Sequence, residues 1–210
     1  MKKLPLLLFA SFVLLAAPNT VWAQESDLPL VEEDSVQPIL PPEDEKSVVE
    51  SNETLDLLFE NLRKDPKASS AGATARKIWR EWALSGSKSI DLLMNWAIVA
   101  MGRQEYAKAQ DLLDQVVVLA PEYAEGWNRR ATLYYTIDDF SRSIADIETT
   151  LALEPRHFGA LSGLAVIMQR VGNDKAALKA WYRVLEIYPA NPQAQQSVIT
   201  LEEKLSGSRT

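Results

Sequence analysis

Between residues 90 and 191 the apolar positions recur with a period of 34 residues. Pro121, Pro155 and Pro189 mark the period, and each closes an apolar phrase such as Leu151-Ala152-Leu153-Glu154. Counting back in the same register gives large apolar residues at Leu93, Trp127 and Leu161, and small ones at Ala97, Ala131 and Ala165. A second small column holds Ala109, Ser143 and Ala177, and a second bulky column holds Leu113, Ile147 and Trp181. Within one unit the spacing is helical. Trp127, Ala131 and Tyr134 share one helix face, Asp138-Asp139 interrupt it, and Ile144, Ile147 and Leu151 resume it on a second helix. Each unit therefore predicts two helices, with proline at the turn to the next unit, where it breaks no helical hydrogen bond. Short side chains let two helices approach to about 8–10 Å. The bulky columns fill the space beside them, each burial contributing roughly 1.5–3 kcal/mol.

The expected units are 90–123, 124–157 and 158–191. Weaker echoes precede them: Phe59 and Leu62 lie one period before Leu93 and Trp96, and Ala75, Trp79 and Trp82 one period before Ala109, Leu113 and Val116. Pro66 and the 69–72 stretch shorten the first helix, and Ser87 stands where a proline would close the unit. Residues 51–89 thus predict a divergent helical pair capping the stack. Pro192 opens a final helix over 192–206, with Val198, Leu201 and Leu205 inward and Gln195, Gln196, Glu202 and Glu203 outward. Helical stacks need such polar ends to stay soluble.

With Trp127, Ala131, Tyr134, Phe140, Ser143 and Pro155 in register, the chain resembles the tetratricopeptide repeat family. Its phrase Glu125-Gly126-Trp127-Asn128-Arg129-Arg130 and run Arg156–Gly163 look like small exported repeat proteins of alphaproteobacteria. The resemblance implies an all-α, right-handed superhelical solenoid of stacked helix-turn-helix repeats. Departures are Ala100 where Tyr134 stands, Asp174 where Tyr106 and Phe140 stand, and polar Arg130 and Thr150 in apolar columns. These are expected to weaken individual contacts only.

The N-terminus carries a different signal. Lys2 and Lys3, the apolar stretch 4–17 and the small residues around Val21-Trp22-Ala23 form a secretory signal pattern, with cleavage expected after Ala23. The apolar run falls short of the about 20 residues a spanning helix needs, so no membrane insertion is expected once the signal is removed; an uncleaved anchor is the alternative. Residues 24–50 hold nine acids, one base and four prolines, the composition of a solvated linker. The remainder, 51–210, balances 20 acids against 19 bases, and the whole chain carries −7. A nearly neutral folded part offers no basic face for nucleic acid. Together these features predict a periplasmic or secreted protein.

Candidate chemistry is sparse. The chain has no Cys and one His, so thiolate catalysis and Cys- or His-rich metal centres have no residues to build on. There is no glycine-rich phosphate loop, Gly-x-Ser-x-Gly elbow, zinc helix or calcium loop. His157 and the pair Asp138-Asp139 fall at turns and read as turn residues. No cofactor and no catalysis are expected. The first helices of stacked hairpins line a concave face, and their residues are the candidate partner-binding set. They are Met94, Asn95, Ile98 and Met101 in the first unit, where Leu93, Trp96, Ala97 and Ala100 are expected to face the core, and Glu125, Asn128, Arg129, Thr132 and Tyr135 in the second. The third unit supplies Ser162, Val166, Gln169 and Arg170. Contiguous apolar groups on such a face mark a binding site, and Arg suits a carboxylate or backbone oxygen. The expected function is an adaptor holding another exported or envelope protein or peptide. Alternatives are an accessory module for cytochrome c maturation that holds apocytochrome tails, implied by resemblance alone, and a self-assembling structural protein.

Overall fold

The computed structural model describes residues 55–207 of the chain; the signal pattern and the acidic linker lie outside them. Among the described residues there are nine helices and no strand. They are α1 (Leu55–Lys64), α2 (Ala68–Trp82), α3 (Lys88–Gly102), α4 (Tyr106–Leu119), α5 (Ala124–Thr136), α6 (Phe140–Leu153), α7 (Phe158–Arg170), α8 (Asp174–Ile187) and α9 (Pro192–Gly207). Helices α3 to α8 form three successive antiparallel hairpins, and α9 packs on α8.

The hairpin turns keep the 34-residue register at the level of the backbone. Gln104, Asp138 and Gly172 occupy the same position in successive units and all have positive φ, at 61°, 59° and 78°. The next residue is the N-cap of the second helix of each unit. Asp139 and Asn173 cap α6 and α8, each side chain accepting a backbone N–H three residues on, which satisfies a donor that the first helical turn cannot. The acids at 138 and 139 are therefore turn residues, as their polarity and position predicted.

Where the hairpins cross, the small columns are buried. Ala97, Ala131 and Ala165 meet Ala109, Ser143 and Ala177, all of them buried, and the Ser143 hydroxyl donates to the Ala131 carbonyl at 2.8 Å. Leu113, Ile147 and Trp181 fill the adjoining space. Ala165→Leu places three extra carbons into a site with no exposed surface, and is expected to lower stability by about 1–3 kcal/mol. A chemical denaturation series checks this, with Ala145→Leu on the exposed side of α6 remaining at the parent value.

Two features of the packing depart from the sequence reading. The α1/α2 pair does not sit at the head of the stack. Its buried residues Leu58, Phe59, Leu62, Ala71, Ala75, Ile78 and Trp82 join one core with Phe158, Leu161, Trp181 and Tyr188 of the third unit and with α9. Helix α2 runs along the inter-unit turns instead. The Tyr123 hydroxyl donates to the Ala83 carbonyl at 2.9 Å, Trp82 stacks on the His157 ring, and Trp79 meets Phe158 edge-on. The connection explains the turn away. Residues 83–87 lack the proline of the other inter-unit turns, Gly86 adopts φ 79°, and Ser85 is fastened to Asp91 through its backbone N–H at 2.9 Å and its hydroxyl at 2.6 Å. Gly159 completes the fit, since a Cβ there would lie 2.4 Å from the Trp79 ring.

The second departure concerns α3. The sequence reading turned Trp96 inward and left Met94 on the open face. Met94 is instead buried in the first core with Ile90, Ala97, Ala100, Leu113 and Val116, while Trp96 is 50% exposed. The column of Trp96 continues as Arg130 and Leu164, which face the preceding hairpin; among the described residues no hairpin is stacked before α3, and Trp96 stays half exposed. Arg130 and Thr150, expected to weaken their contacts, are matched partners. Arg130 donates two hydrogen bonds to the Asp146 carboxylate, at 2.8 and 2.9 Å, and one to Asp114 at 2.8 Å. The buried Thr150 hydroxyl donates to the Asp146 carbonyl at 2.8 Å.

Candidate partner-binding groove

A pocket of about 200 Å³ opens between the first helices of the second and third units. Helix α5 contributes Asn128, Thr132 and Tyr135, which share a face at spacings of four and three. Helix α7 contributes Ser162, Val166 and the bare backbone of Gly159 and Gly163, and Ala131, Ile147 and Ile167 form the floor. The two glycines keep it open. A side chain at 163 would enter the pocket, its Cβ meeting Ile147 at an ordinary 3.6 Å. The hydroxyl that could make the floor polar, Ser143, is already committed to the Ala131 carbonyl, so the floor is apolar.

Charged residues with internal work adjoin the lining residues Tyr135 and Asn128. Beside Tyr135, Arg170 pairs with Asp138 at 3.0 Å and lies over the rings of Tyr135 and Phe140. Beside Asn128, Glu125 is buried at the start of α5. Its carboxylate accepts from Asn128 Nδ2 at 2.7 Å, from Arg129, and from His157 Nε2 at 3.2 Å. His157 caps α7, its Nδ1 accepting the Ala160 backbone N–H at 3.0 Å; the ring therefore presents its Nε2 proton to Glu125. Trp82 covers the imidazole in parallel at 4.0 Å. Burial opposes ionisation of Glu125, but the His157 hydrogen bond and the Arg129 charge outweigh it and hold the carboxyl below the ordinary glutamate value.

The thirteen candidate residues thus separate by task. Thr132, Tyr135, Ser162 and Val166 line the pocket together, with Asn128 at its edge. Glu125, Asn128 and Arg129 form a network that ties α5 to α7. Gln169 accepts the Trp181 indole N–H at 2.9 Å and braces the third core. On α3, Met94 is core, Met101 is partly buried against it, Asn95 is half-buried and Ile98 is exposed; none of the four lines the pocket. The Glu125–His157 link was not read from the sequence. Its only trace there is a lone His before α7 and an acid one residue inside α5, a spacing of 32 that the 34-residue columns do not pair. Among the described residues no group of three or more His, Asp and Glu could hold a metal ion, and no helix is long and apolar enough to cross a membrane.

Helix hairpins stacked in register, with a groove along their first helices, define the class of α-helical repeat solenoids. The tetratricopeptide repeat profile matches residues 128–192. A TPR repeat-containing protein of Rhizobium etli is 49% identical over 156 residues, which cover 74% of this chain and 76% of that protein. The chain belongs to the tetratricopeptide repeat family. Its fold is shared by the first tetratricopeptide domain of Spaghetti (RPAP3), solved bound to an HSP90 peptide, at 21% identity and a TM-score of 0.54. That likeness covers 57% of this chain and 95% of that one. The Sgt2 tetratricopeptide domain of Aspergillus fumigatus is similar at 23% identity and a TM-score of 0.54, covering 59% and 83%. Repeats of this family mediate protein–protein interaction.

Proposed function

We propose that the protein is a non-catalytic adaptor of the cell envelope that holds a segment of another exported protein against the α5/α7 groove. The observation that carries this reading is the pocket itself. Thr132, Tyr135 and Val166 border a cavity of about 200 Å³, large enough for one bulky side chain, while Tyr135 and Val166 also pack on the cores beneath them. The exported setting is supported by the signal pattern of residues 1–23 and the acidic linker that follows. The mixed apolar and arginine-bearing rim fits an extended or helical peptide anchored by a large apolar residue.

A photocrosslinking residue at 132 or 166 tests the proposal in cells, with the exposed position 148 on α6 as a control. The expected result is one partner captured from the groove positions and absent at 148. Thr132→Trp, which plugs the pocket from an exposed position, should abolish that capture while the melting temperature stays within a degree or so of the parent. Arg129 is a poor probe, since its removal would disturb the Glu125 network. Equal capture from 148, or undiminished capture by Thr132→Trp, refutes the groove.

A further inference from the structure

We infer that Gly163 makes the groove selective for one side chain, a phenylalanine of the bound segment with an acidic residue close to it. This rests on the proposed groove and adds the chemistry of its occupant. The chain contains a filled and an open version of the same helix crossing. One unit before Gly159 and Gly163 stand Glu125 and Arg129, which pair with each other. One unit before Asn128 stands Met94, buried in the first core. Side chains of the protein therefore occupy at α3/α5 the positions that at α5/α7 border about 200 Å³ of open space.

The two glycines differ in what the fold asks of them. Gly159 is fixed by packing, since a Cβ there would lie 2.4 Å from the Trp79 ring. Gly163 is not. It lies in the middle of α7, outside the left-handed backbone region, and a Cβ there would meet Ile147 at an ordinary 3.6 Å. Glycine inside a helix lowers stability relative to alanine, and no packing contact requires one at 163. What its bare backbone provides is room.

That room has a definite chemistry. Its floor is Ala131, Ile147 and Ile167. The hydroxyl protons of Ser143, Thr132 and Ser162 are spent on the carbonyls of Ala131, Asn128 and Phe158, at 2.8, 3.0 and 2.7 Å. A polar tip inserted here would find none of these donors free, and burying it unpaired opposes binding. An apolar cavity of about 150 Å³ holds a benzene ring, so the space suits a phenyl group with its methylene. Charge selects what lies beside the ring. Helix α7 has no acid, and the single acid of α5, Glu125, is 2% exposed. The charged side chains of these two helices that reach solvent are arginines. Arg129 follows Asn128 in the chain, is 31% exposed, and keeps a buried Nε with no acceptor. A carboxylate on the segment complements it.

Panning a displayed random-peptide library against the purified protein tests this. The expected result is a family of sequences that share a phenylalanine with an aspartate or glutamate nearby. In a synthetic peptide of that sequence with blocked ends, alanine for the phenylalanine should abolish binding and tyrosine should weaken it. Gly163→Ala should raise the melting temperature yet weaken the peptide roughly tenfold, the effect of one methyl group in an apolar pocket. Gly163→Leu should abolish binding, and Ala145→Leu on α6 should leave it unchanged. Three results overturn the phenylalanine pocket and leave the groove standing. They are peptides blocked by Thr132→Trp that carry a different anchor, peptides that bind Gly163→Leu as well as the parent, and a Gly163→Ala variant that melts lower. Peptides that bind Thr132→Trp as well as the parent overturn the groove and this inference together, as does a library from which nothing is enriched.

Discussion

Arg130→Leu alone should lower stability by about 3–5 kcal/mol, because it strands the Asp146 carboxylate inside a hairpin. The Arg130 side chain is 17% exposed and that of Asp146 6%, and the two share a pair of parallel hydrogen bonds. The same two columns hold Trp96 with Leu112 in the first unit and Leu164 with Ala180 in the third. One chain therefore displays two solutions for one crossing, an apolar pair and an ion pair. The double substitution Arg130→Leu with Asp146→Leu should recover most of the loss, since apolar residues of similar volume commonly replace a buried ion pair without penalty. Chemical denaturation of the parent, the two single variants and the double variant checks this; additive losses would show that the pair is not coupled.

Glu125→Leu is expected to have an effect of similar size, about 3–5 kcal/mol at neutral pH, by leaving buried polar groups on Asn128, Arg129 and His157 without their shared acceptor. Glu125→Gln isolates the charge. Because the folded state holds the Glu125 carboxyl below its ordinary value of 4.5, its ionised form stabilises the fold. That contribution is complete above the ordinary value and is lost as pH falls through the folded one. The gap in melting temperature between parent and Glu125→Gln should thus be wide at neutral pH and narrow steadily below about pH 4.5. A gap that stays constant through acid would show that the Glu125 charge contributes nothing.

The three hairpins were legible because their columns are redundant: Ala131, Ser143 and Ile147 each repeat a residue type one period away, so a substitution in one unit leaves the pattern readable in the others. The sides of the groove followed from the same arithmetic, which sets Thr132 and Tyr135 beside Ser162 and Val166. What periodicity could not show was which neighbour each unit has. Phe59, Trp79 and Trp82 satisfy the columns of a unit stacked on α3, and the same apolar residues pack equally well against Phe158 and Tyr188. The choice falls to small local features: the missing proline at Ser87, the positive φ of Gly86, and the absent side chain of Gly159. The exchange of Met94 and Trp96 has the same origin, since the first helix of a stack lacks the neighbour that its outer column was shaped to meet. Arg130 looked like a defect because its partner is 16 residues away on another helix, at a position that the columns mark only as apolar in the other units.

The ion pair between Asp56 and Arg156, at 2.7 Å, spans 100 residues of sequence, and it has a bearing on how the chain is made. Most repeat stacks can mature from the end that emerges first, each unit resting on the one before. Here the opening hairpin rests on the last unit. At about 5–20 residues per second, the ribosome needs roughly 5–20 seconds after releasing Trp82 to deliver Trp181 and Tyr188. For that interval the indoles of Trp79 and Trp82 have no lasting place to go, and the completed chain, not the growing one, is the smallest piece that can shelter them.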